Sequence, residues 1–237
     1  MPVTPAMRAG RTGALALDPS PLYTVGGLTA AFLALLTVAH AAVFAAVGLP
    51  ESVDGWYALF QRSPVLGLLG FEGLMVVFVV FSVPLALALF VALRPVQPTL
   101  ALLYLAVTVV GAVAFVRARP AVEMLALAAA HGAAPEGAHA ALLAGGEAML
   151  ATFHGTAFWV SYALGSLGGV LVGAAMLRAP RFGRAIPSLR IASSVLDLGL
   201  FVPGVGLLIS LGSVLCLLLF HVLVARALLR RKGERHV

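Results

Sequence analysis

Long apolar runs alternate with short polar breaks along this chain, and their spacing predicts six helices of membrane-crossing length. The first run extends from about Leu22 to Leu49, the second from Val65 to Leu93, the third from Thr99 to Val116 and the fourth from Gly146 to Leu177. The fifth and sixth share the stretch from Ile186 to Leu229, which is too long for one crossing. Pro203-Gly204 divides it, because proline cannot continue a helical hydrogen-bond ladder and glycine permits a tight turn. The breaks carry their own signals. PESVDGWYALFQRSP brings Trp56, Tyr57 and Phe60, which suit a membrane–water boundary. Arg94-Pro95 stops the second run and RARP the third. PAVEMLALAAAHGAAPEGAHAALLAGG is Ala-rich and weakly amphipathic, and predicts one or two short helices on the membrane surface. Ala39-His40-Ala41 has the small-x-small form of a cleavage site, but the first run exceeds a signal-peptide core and reads as a spanning helix.

The pattern therefore predicts an all-α, polytopic transmembrane helical bundle. Residues 1–21 form an N-terminal segment, 22–230 the six-helix domain with a surface loop at 119–145, and 231–237 a basic tail. Composition sharpens this. The 237 residues are 62% hydrophobic and only 10% charged, with a mean hydropathy of +1.08. Soluble domains are roughly a quarter charged.

Charge sets an expected orientation. With six spans and a cytoplasmic N-terminus, the inner side receives Arg8, Arg11, Arg94, Arg178, Arg181, Arg184, Arg190, Arg226, Arg230, Arg231, Lys232 and Arg235. Only Arg62, Arg117 and Arg119 fall outside, so the positive-inside rule places both termini in the cytoplasm of a bacterial inner membrane. The net charge of +6 lies at helix ends and in the tail, without the aromatic–basic surface that single-stranded nucleic acid needs. Membrane lipids account for it better. The lone Cys216 excludes an intrachain disulfide and reads as a packing residue.

Ionisable residues inside an apolar bundle are expensive, and each is a candidate for function. His40, Glu72, His154 and Asp197 fall at similar depths in the outer half of four spans, with Glu147 at the mouth and Arg117 at the end of the third. Glu147 and His154 are seven residues apart, which places them on one helical face. These residues, with Trp159 as an aromatic wall, predict an outward-facing polar pocket. The plainer alternative is a set of solitary groups: a solvated Glu147, a His40 bonded to a carbonyl, and Glu72 or Asp197 tied to Arg117. The ligand types also suit zinc or iron, although no HxxxH or HExxH pair lies on one helix. His40 and His154 are the depth-matched pair a b-type haem would require. Retinal is excluded because the single lysine, Lys232, is in the tail. Along the fourth span, Ser161, Gly165, Gly169 and Gly173 recur every four residues, a seam that admits a close helix neighbour, more readily within the chain than across a dimer.

LALFVALRPVQPTLALLYL, LATFHGTAFWVSYALGSLGGVLVG and RAPRFGRAIPSLRIASSVLDLGLF resemble an uncharacterised bacterial membrane family, domain-of-unknown-function family 4386. The resemblance covers about residues 20–230 and matches Arg94, Pro95, His154 and Asp197 to family positions; Ser82 departs from an expected acidic residue. It implies a six- or seven-span fold and supplies no activity. The expected function is thus a multi-span membrane protein whose pocket binds a small or lipid-like ligand, as sensor, accessory subunit or carrier. Two alternatives stand beside it: a membrane-embedded enzyme using the His/carboxylate layer, with or without a metal, and a structural or assembly partner. The sequence names no cofactor and leaves a homo-oligomer open.

Overall fold

The computed structural model describes residues 19–48 and 50–230. Most of the N-terminal segment and the whole basic tail lie outside the described residues. Ten α-helices follow one another: α1 (Ser20–Val47), α2 (Val53–Arg62), α3 (Pro64–Gly70), α4 (Gly73–Leu93), α5 (Pro98–Arg117), α6 (Ala121–Ala133), α7 (Glu136–Phe153), α8 (Thr156–Leu177), α9 (Ala185–Asp197) and α10 (Gly206–Leu229). Helices α1, α4, α5, α8, α9 and α10 form a closed ring, each packed on its neighbours in that order, with α10 returning to α1. The remaining four make a cap at one end, where α2 and α3 meet the α6–α7 hairpin.

Among the described residues, five helices are long and apolar enough to cross a membrane: α1, α4, the α5–α6 and α7–α8 pairs taken as rods, and α10. The six comparable spans expected from the sequence become five long members and one short one. Helix α9 has 13 residues, about 20 Å at ~1.5 Å per residue, against a hydrocarbon thickness of ~30 Å. A 3-10 turn, Leu198–Phe201, extends it towards the Pro203-Gly204 break. The one or two short helices expected in the surface segment 119–145 are α6 and the first part of α7, and they pack into the cap rather than standing alone.

Unlike a water-soluble bundle, the ring is apolar outside as well as inside, where Leu33, Leu89, Leu93, Met176 and Phe220 are buried. Large apolar side chains face outward, among them Leu28, Leu35, Val113, Leu208 and Leu215, while Ala30, Ala86, Ala88, Gly169 and Ala175 are buried between helices. Small residues bring backbones together and the leucines meet lipid, because association in a bilayer relies on close packing rather than on hiding apolar surface. The cap follows soluble rules. Its core of Trp56, Tyr57, Phe60, Phe71, Met124 and Phe153 is aromatic-rich. The Tyr57 hydroxyl donates to the Leu142 carbonyl at 2.7 Å. Burial raises the Tyr57 phenol above its ordinary range, with Asp54 adding to the effect, so it remains a donor.

Candidate functional site

Three helix breaks meet where the ring joins the cap. Pro120, which has no N–H to donate, separates α5 from α6; His154-Gly155 separates α7 from α8; and Phe71-Glu72 separates α3 from α4. Glu72 has φ 62° and ψ 28°, the one positive φ outside glycine among the described residues. Its carbonyl accepts from Met75 and Val76, which starts α4. This conformation turns its carboxylate to Arg119, whose Nε donates to Oε2 at 2.6 Å while Nη2 stands 2.6 Å from the same oxygen. Arg119 Nη1 donates to the carbonyls of Ala118 (3.2 Å) and Phe153 (3.1 Å), at the C-terminal ends of α5 and α7. Helix C-termini leave carbonyls without partners and carry partial negative charge, so a buried guanidinium fits there. The rings of Phe115, Phe153 and Phe158 lie 4.3, 4.3 and 4.8 Å from Arg119 Cζ. Arg119 thus ties all three breaks together. His40 is within electrostatic reach of this pair, and its buried Nδ1 has no hydrogen-bond partner.

A second polar group lies within the ring. Arg190, Ser193, Ser194 and Asp197 follow the i, i+3, i+4, i+7 spacing of one face of α9. Ser193 and Ser194 are fully buried, whereas Val195 and Leu198 are exposed, so the polar stripe faces the bundle and the apolar side faces out. Asp197 Oδ1 accepts a short hydrogen bond from Ser213 of α10. Arg190 Nη1 donates to Ser194 Oγ at 3.1 Å and Nη2 to the Gly165 carbonyl at 3.4 Å. Its charged end interacts with Tyr104, Asp197 and His221, and sits 5.6 Å from the Phe220 ring centre. Glycine is needed opposite it. A methyl group at Gly169 would overlap Ser194 Oγ and the Arg190 guanidinium, and one at Gly173 would overlap Ile191. Gly168, one step round the helix, admits Tyr104, Val107 and Thr108 of α5. Gly165 has open space beside it and contributes its carbonyl, while Ser161 donates to Phe158 O at 2.6 Å.

The residues expected to share one pocket divide among different surroundings. His40 and Glu72 join the Arg119 tie; Asp197 belongs to the α9 stripe; Arg117, Glu147, His154 and Trp159 are exposed. Glu147 lies within α7 and His154 caps it, its N–H donating to the Leu150 carbonyl at 3.2 Å, so the seven-residue spacing holds on one helix, but both side chains are exposed rather than lining a pocket. The partner of Glu72 is Arg119 rather than Arg117, because the chain leaves α5 at Ala118 and turns the next arginine inward. Arg190, counted with the inner-side arginines, begins the polar stripe inside α9. That stripe was visible as spacing in SLRIASSVLD, since Arg190 and Asp197 are also seven residues apart. Among the described residues, no three of His, Cys, Asp and Glu gather to hold a metal ion, so His40, Glu72, His154 and Asp197 do not form a ligand set. A separate cavity of about 280 Å³ in the cap, lined by Phe60, Gln61, Pro64, Leu125, Ala128 and Ala129, is mainly apolar and contains no titratable group.

No family model matches the chain, and neither a curated protein nor a solved structure matches it.

Proposed function

We propose that this is a multi-pass protein of the bacterial inner membrane, of the kind its resemblance to domain-of-unknown-function family 4386 implies, whose ring takes a small polar or lipid-like molecule against the α9 stripe. It would act as a sensor, accessory subunit or carrier. The inward polar face of α9 carries this reading: an element with an apolar outer face presents an arginine, two serines and an aspartate to the interior of an otherwise apolar ring. Polar groups at such depth are rarely retained without a partner or a task. This moves the pocket from the outer layer expected in the sequence to the α8–α9–α10 side of the ring.

Six crossings, with α9 as the short one, suit the distribution of charge. Arg94, Arg178, Arg181, Arg184, Arg226 and Arg230 lie at the end of the ring away from the cap. Among the described residues, only Arg62, Arg117 and Arg119 lie on the cap side, and this excess of arginine at the other end supports a cytoplasmic basic end and an outward cap. Reporter fusions after Lys232 and within the Ala134 to Gly145 segment should report opposite sides; the same side for both would overturn the topology. For ligand binding, small polar solutes should raise the melting temperature of the purified protein. Ser193→Leu, which fills the stripe, should remove that response. A response that survives Ser193→Leu would place binding elsewhere, and no response from any solute would leave the assembly role as the better account.

A further inference from the structure

Arg190 and Arg119 differ in what neutralises them, and the difference identifies a ligand chemistry. Arg119 has a carboxylate in contact. Arg190 has none: no carboxylate oxygen among the described residues lies within 4 Å of its guanidinium, and its two hydrogen bonds go to neutral acceptors. Asp197 is two helical turns away on the same face, about 10 Å along the axis, and is engaged by Ser213. The contact with Gly165 and the close approach to Gly169 place Arg190 level with the middle of α8, far from either end of the ring.

Arg190 is half-buried, and a guanidinium midway along apolar helices without a contacting anion is costly unless an anion or water meets it. Beside it stand two further unmet demands. The Ser193 hydroxyl, on the same face and fully buried, has no hydrogen-bond partner, nor does the buried Ser166 hydroxyl next to Gly165. Tyr104 of α5 and Phe220 and His221 of α10 supply an aromatic surround, with Phe78 of α4 edge-on to His221 at 5.5 Å. Ligand sites are of this kind: largely apolar walls with a few placed polar groups.

We infer that Arg190, with the Ser193 hydroxyl, anchors an anionic oxyacid group, a carboxylate or phosphate, inside the ring. The planar fork of arginine matches two oxygens of such a group, and one anion would meet both a charge that no carboxylate contacts and the orphaned hydroxyl. The inference rests on the proposed binding role of the α9 stripe and adds the chemistry of the ligand. The group could belong to a free solute or to a lipid headgroup, and the two sources are separable by experiment.

The full chain would be placed in phosphatidylcholine nanodiscs and titrated with acetate and with inorganic phosphate. A second arm would compare nanodiscs with and without phosphatidylglycerol, reading bound lipid by native mass spectrometry and stability by melting temperature. Wild type should bind in at least one arm. Arg190→Gln should weaken that binding at least about tenfold, as expected for loss of a charge-assisted pair. Ser193→Val should weaken it several-fold, and Arg226→Gln, an exposed arginine at the basic end, should leave it unchanged. Should Arg190→Gln fail to fold, Arg190→Lys should keep the charge, lose the fork and still bind less tightly; Ser193→Val decides if neither folds. The inference is overturned if wild type binds in neither arm, if both Arg190 and Ser193 variants bind like wild type, or if Arg226→Gln loses as much. Neutral solutes that stabilise wild type but not Ser193→Leu, with no response to anions, would sink the anion and leave the binding role standing.

Discussion

Two arginines carry their charge inside this protein, and their surroundings differ in kind. Arg119 meets a carboxylate, two carbonyls from the ends of two helices and three aromatic rings. Arg190 meets a serine hydroxyl, one distant carbonyl and an aromatic ring, with hydroxyls nearby that bond to nothing. A charge whose every demand is met within the chain holds the fold together. One whose demands are left open is stabilised by something the chain does not supply. The first joins ring to cap; the second is the anchor we propose for a ligand.

The largest expected effect comes from breaking the satisfied partner. Arg119→Leu leaves Glu72 unpaired at a junction of three helix breaks and removes the donor to Phe153 O. Loss of one member of a buried ion pair typically costs about 3–5 kcal/mol. The melting temperature in detergent should fall sharply. Arg117→Gln, two residues away and exposed, should change stability by less than about 0.5 kcal/mol. Equal losses for the two variants would show that Arg119 is no tie.

Much of the fold was legible in the apolar runs, because run length and proline–glycine breaks report spans directly. The starts of α5, at Pro98, and of α10, after Pro203-Gly204, fall within a few residues of expectation. What the runs concealed is how helices end when the ending is made by tertiary contacts. Nothing local announces that Glu72 takes a left-handed conformation, or that His154-Gly155 interrupts an apolar stretch. Arg117 and Arg119 stand in one RAR, and only the turn after α5 decides which points inward. Residue number gave an expected depth along each helix but not its facing, except on α9, where polar spacing encoded it. Counting Arg190 with the other inner-side arginines left that signal unused.

The α8–α9 seam supplies the next effect. Gly169→Leu should destabilise the protein by about 1–3 kcal/mol, since the side chain would displace Ser194 and Arg190. Leu171→Ala, at a half-buried position, should cost less. The reverse order in thermal unfolding would mean that α9 is not held closely against α8, and the inward stripe would lose its support. In the cap, Tyr57→Phe leaves the Leu142 carbonyl without its donor and should cost about 1 kcal/mol. Solute binding at the α9 stripe should be unchanged in that variant, since Tyr57 lies in the cap.

The smallest expected effect is the most informative. Arg190→Met, measured without added ligand, should leave stability within about 1 kcal/mol of wild type, or raise it. The charge it removes has no contacting anion, the hydrogen bonds it loses are to neutral groups, and methionine can follow the same path beside Gly169. Replacing a buried charge by an apolar side chain of similar size is often neutral or stabilising, whereas stranding its partner is not, and Arg190 has no contacting carboxylate to strand. Binding sites commonly trade stability for function in this way. The contrast is therefore between Arg119→Leu, which should weaken the fold, and Arg190→Met, which should spare the fold and abolish anion binding. If Arg190→Met lowers the melting temperature as far as Arg119→Leu does, both arginines are ties, and the open hydroxyls beside Arg190 belong to the packing of the ring.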